Sequence, residues 1–68
     1  MYIVLEIQAS DTITTIINSY ADRNTAESRY HQILAAAAVS TILHHSAVLM
    51  NEIGHPIKSD SYTHEVTV

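Results

Sequence analysis

The chain has 68 residues, a net charge of −4 and no cysteine. This length gives one domain with a thin core, which neither a disulfide nor a thiolate metal site can reinforce. Only Arg23, Arg29 and Lys58 are basic, too few for the row of cations that binding a phosphate backbone needs, so nucleic acid is not an expected partner.

Tyr2 to Gln8 alternates as a strand does, with Ile3, Leu5 and Ile7 on one face and Tyr2, Val4, Glu6 and Gln8 on the other. The first set is wholly aliphatic and is expected to face the core. Ala9 to Asp11 reads as a short polar turn. Thr12 to Tyr20 is rich in β-branched residues and forms the second arm of a hairpin, with Ile13, Thr15, Ile17 and Ser19 on one side.

Asp22 to Thr25 breaks the strand and opens a helix. Asn24 followed three residues later by Glu27 fits a capping box, with Thr25 as the other candidate cap. The helix is expected to run to about Ser40 or Ile42. On a helical wheel Ala26, Tyr30, Ile33, Leu34 and Ala37 share one stripe, which should pack on the sheet. Ala35, Ala38, Val39 and Ile42 fall outside that stripe, a surplus of apolar surface that a single small chain would leave in water. Small residues there let a second backbone approach closely, so this face is the expected interface of a homo-oligomer.

His44 to Ser46 leads into Ala47 to Asn51, a short apolar strand. Asn51 to His55 is a hairpin turn, with Gly54 where a left-handed backbone is needed. Pro56 to His64 is the return strand, polar enough for a sheet edge. Glu65 to Val68 either extends it or frays. The expected fold is α+β in the order ββαββ: a four-stranded antiparallel sheet with one helix packed on one face, a single domain over residues 1–68.

The five histidines include no closely spaced helical pair, and the nearest two, His44 and His45, diverge in a strand, so no metal or cofactor is expected. No spacing singles out a Ser or Thr nucleophile with a His base, and an enzyme is not expected. The longest strongly apolar run, Ile33 to Val39, is far short of the roughly 20 residues that span a bilayer. The opening residues lack the basic and small-residue features of a leader, so a cytoplasmic protein with no membrane partner is expected.

Around the helix start, Asp22, Arg23, Arg29, Tyr30 and His31 gather hydrogen-bonding groups. Free N–H groups and partial positive charge at a helix N-terminus suit an anionic ligand, and Arg23 adds a fork-shaped donor. An ordinary solvated cap is the competing reading. The candidate ligand contacts are Tyr20, Arg23, Arg29, His31 and the hairpin residue His55. Tyr30, on the main stripe, belongs to the core.

Tyr2-Ile-Val-Leu-Glu-Ile-Gln8, Asn18-Ser-Tyr-Ala-Asp-Arg-Asn24, Tyr30 to Ser40 and His45-Ser-Ala-Val-Leu49 together resemble short uncharacterised proteins of phages and integrated elements of gut Firmicutes. The resemblance covers the chain to about His64 and implies an accessory protein of a mobile element. By analogy of size and assembly, such a protein acts by binding a component of host immunity. The expected function is non-enzymatic sequestration of a small nucleotide-type immune signal, cyclic or NAD-derived. The alternatives are a protein-binding inhibitor of a host defence complex, as anti-CRISPR proteins are, and a structural or regulatory phage component.

Overall fold

A computed structural model describes residues 1–64. Strands β1 (Tyr2–Ala9) and β2 (Ile13–Tyr20), helix α1 (Arg23–Val39), and strands β3 (His44–Asn51) and β4 (Pro56–Thr63) follow in that order. The strands form one antiparallel sheet in the order β2-β1-β3-β4. The ββαββ order and the α+β class are those expected from the sequence. The expectation for Glu65 to Val68 lies outside the described residues.

β1 and β2 are joined through Ser10 to Thr12, where the Ser10 N–H donates to the Thr12 carbonyl at 3.1 Å. The chain then crosses the sheet through α1, so β3 pairs with β1 rather than with β2. Tyr2 stands opposite both Tyr20 and Asn51, and Glu6 opposite both Ile16 and Ala47. β4 is an edge, as its polar sequence indicated. In the β3–β4 turn, the Asn51 carboxamide oxygen accepts the N–H groups of Ile53 and His55, at 3.1 and 2.9 Å. Gly54 has φ +81°, the left-handed conformation expected at that position.

Three local expectations are corrected. The helix is capped by Asp22, not by Asn24 or Thr25. Its carboxylate accepts both the N–H and the hydroxyl of Thr25 at 3.0 Å, so the helix starts at Arg23. Glu27 consequently lies too far into the helix to reach back to the cap. The helix ends at Val39, where the Ser40 N–H bonds the Ala37 carbonyl, so Ile42 lies in the connection to β3 and not on the helix. β3 begins at His44, three residues before the apolar run that marked it.

The largest correction concerns the faces of the sheet. The expected helix stripe does pack inward, with Ala26, Tyr30, Ile33 and Ala37 buried and Leu34 packed at their margin. It lands on Val4, Ala47 and Leu49, with Tyr2, Tyr20 and Ile57 around them. The covered face of β1 is therefore the mixed set that includes Val4 and Glu6. Ile3, Leu5 and Ile7 point to the opposite face and are only half-buried. The reason lies in the partners: β3 offers His45, Ala47 and Leu49 to the helix, and pairing Glu6 with His45 fixes which side of β1 must be covered.

Candidate functional site

Two groups of polar side chains stand out. The first lies at the start of α1. Lys58 Nζ on β4 is 3.1 Å, and Arg23 Nε 3.4 Å, from the same oxygen of Glu27. The hydrogen bond from Lys58 is the main cause that holds the Glu27 carboxyl below its usual range, with Arg23 adding to it. Two of the three basic side chains of the protein thus share one carboxylate at the surface. Tyr20 ends β2 two residues before the cap and packs, half-buried, against the core opposite Tyr2. Because Tyr2 also faces Asn51, the β3–β4 turn with His55 lies at this same end of the sheet.

Of the five candidate ligand residues, the fold therefore brings Tyr20, Arg23 and His55 to one end. Arg29 is directed elsewhere, with Nη2 3.9 Å from Glu6 Oε1. His31 is exposed on the helix, its ring edge-on to Tyr30 at 5.4 Å between centroids. Lys58 was not singled out by the sequence, since it sits 31 residues along the chain from Glu27 and only strand pairing brings it there.

Of the candidate interface residues, Ala35, Ala38 and Val39 are exposed, Val39 by 83 %, and Ile42 is half-buried. The helix thus keeps an apolar outer strip, shorter than expected because it ends at Val39.

The second group is buried under the helix. Glu6 is 8 % exposed and His45 3 %. His45 Nε2 donates to Glu6 Oε2 at 2.6 Å, and Gln8 Nε2 donates to the same oxygen at 3.0 Å. On the other side of the ring, His45 Nδ1 is 3.2 Å from Ser40 Oγ, which also accepts the Ile42 N–H at 3.3 Å. Burial pushes the Glu6 carboxyl up, but hydrogen bonds from Gln8 and His45 and the nearby charges of His45 and Arg29 outweigh it and hold Glu6 below its usual range.

Ser40, His45 and Glu6 form the hydroxyl–imidazole–carboxylate order of a nucleophilic triad. Their surroundings suit a structural role. Ser40 caps the C-terminus of α1, where free carbonyls give partial negative charge and oppose an oxyanion. The carbonyl of Ala37 there is taken by His64 Nε2–H at 2.7 Å and by the Ser40 N–H at 3.3 Å. The network satisfies the buried Glu6 and ties the helix end to the sheet. Only the fold could reveal it, because 39 residues separate Glu6 from His45.

Among the described residues no group of three or more His, Asp or Glu is placed to hold a metal ion, no pocket is enclosed, and no helix is long and apolar enough to cross a membrane. Comparison with protein-family models, curated proteins and solved structures finds no match.

Proposed function

We propose that this protein is a non-enzymatic accessory protein of a mobile element that works in the host cytoplasm. It captures a small anionic ligand of nucleotide type, an immune signal of the host. The observation that carries this reading is the pair of cations, Arg23 and Lys58, that share the single carboxylate of Glu27 at the helix start. A phosphate arriving there would offer both cations a second anionic partner beside Glu27. Tyr20, at the same end and half-buried against the core, would meet a base with the exposed part of its ring. Among the described residues no pocket is enclosed, so the ligand would be held at the surface of the helix start.

A protein target, as for an inhibitor of a host defence complex, is the second reading. The exposed strip of Ala35, Ala38 and Val39 favours it, since an uncharged helix face can meet another chain directly.

Native mass spectrometry decides between them, on protein purified from cells that make nucleotide immune signals and from cells that make none. A defined extra mass only in the first sample, released chemically unchanged on denaturation, is the expected result. Arg23→Ala should abolish that extra mass and keep the wild-type circular dichroism, because Arg23 is exposed and its ion pair with Glu27 lies at the surface. Unchanged capture by this variant would remove Arg23 from the site, and empty protein from both sources would leave the protein-target reading.

A further inference from the structure

We infer that the open face of the sheet is the surface on which two copies of this chain pack, sheet against sheet, about a two-fold axis. The strand register places Ile3, Leu5 and Ile7 of β1 beside Ile17 of β2 and Val48 and Met50 of β3. No element of residues 1–64 covers them. Ile17 is 65 % exposed, and the other five are half-buried only by their neighbours within the sheet. Unpartnered aliphatic surface of this extent on a small protein marks an interaction site.

Three observations make the occupant a second copy. The first is charge. The register sends Glu6, Lys58 and Asp60 to the helix side, so no strand residue on the open face is an acid, Lys or Arg. A chain of net charge −4 can therefore meet itself here without bringing like charges together, His44 at the end of the face beside Thr63 being its one titratable strand residue.

The second is anatomy. The aliphatic residues lie across β2, β1 and β3, while β4 contributes Ser59, Ser61 and Thr63 along one side. An apolar centre with a hydroxyl-bearing margin is the arrangement of protein interfaces.

The third is size. Four strands of eight residues each, at about 3.3 Å per residue and about 4.8 Å between strands, make a face of roughly 500 Å². Two such faces bury about 1000 Å², the lower limit for a biological interface. The helix strip of Ala35, Ala38 and Val39 presents far less. Aligned or orthogonal packing of two sheets about 10 Å apart would then complete a core that each chain alone leaves half built.

The inference does not rest on the ligand reading, and it is tested on protein purified without ligand. Sedimentation velocity at tens of micromolar should give about twice the 7.5 kDa of the chain. Ile17→Lys, at a position mostly exposed in the single chain, should sediment as monomer with unchanged far-ultraviolet circular dichroism. Ala38→Glu, on the helix strip, should remain a dimer. Because the protein has no cysteine, Ser46→Cys on the open face gives a second measurement should Ile17→Lys not fold: a short bis-maleimide should join two such chains, and should join none when the cysteine is placed instead at Ala36 on the exposed side of the helix. A monomeric wild type, which would leave the face to a different protein, overturns the inference. So does a dimer that persists in Ile17→Lys, or one lost only in Ala38→Glu.

Discussion

The two faces of the sheet carry opposite chemistry from the one their residues would lead one to expect. The face under the helix holds a carboxylate and an imidazole at its heart, Glu6 and His45, beside Val4, Ala47 and Leu49. The face away from the helix is the more uniformly aliphatic, with Ile3, Leu5, Ile7, Val48 and Met50 in adjacent rows. A strand buries whichever side its partners can complete. Glu6 is satisfied only if His45 and Gln8 close around it, and under the helix they do. Aliphatic side chains impose no such condition, and no element of residues 1–64 covers them.

Neighbouring positions on the two faces should therefore respond differently. The largest effect is expected for Glu6→Ala, which leaves His45 buried without its carboxylate. Breaking a buried pair in this way costs about 3–5 kcal/mol, a large share of the stability of a chain this small. Chemical denaturation should show that loss equally at low and high protein concentration. A loss under 1 kcal/mol would mean that the pair contributes little to the covered face.

Leu49 and Met50 are adjacent and point to opposite faces. Leu49→Ala should cost about 2–5 kcal/mol at any protein concentration, as for other fully buried leucines. Met50→Ala should have an effect that grows with protein concentration, because in the proposed dimer a second copy completes Met50 and the contribution follows mass action. Equal, concentration-independent losses in thermal unfolding would erase the distinction between the faces.

The smallest effect is expected from acid. The folded chain holds Glu6 below the ordinary 4.5 of the carboxyl, so the unfolded chain takes up this proton first as pH falls. The stability contributed by Glu6 is complete above 4.5 and declines as pH drops from there through the folded value. Stability measured against pH should fall in that window, and Glu6→Gln should flatten the fall. An unchanged slope in Glu6→Gln would show that other carboxylates govern the acid response.

Much of the fold was legible in the residues. The alternation of Tyr2 to Gln8, the β-branched run to Tyr20 and the stripe of Ala26, Tyr30, Ile33 and Ala37 each report their own period, and each formed the element they indicate. Gly54 marked its turn because only glycine adopts a positive φ without strain. The cap is not set by local sequence, because Asp22, Asn24 and Thr25 can all cap a helix, and which one does depends on where the preceding strand ends.

Of the candidate ligand residues, Tyr20, Arg23 and His55 fall at one end of the sheet, while Arg29 turns to Glu6 and His31 stays on the outer helix surface. Lys58, the partner that makes the helix start a double cation site, carries no local signal. Local pattern thus determined which segments become strands, helix and turns, because propensity and periodicity act over a few residues. The tertiary structure alone decided which face of β1 is covered, that β3 inserts beside β1, and that Glu6 meets His45 and Lys58 meets Glu27. Those outcomes depend on pairings between residues 31 to 49 positions apart, whose energies no short window of sequence contains.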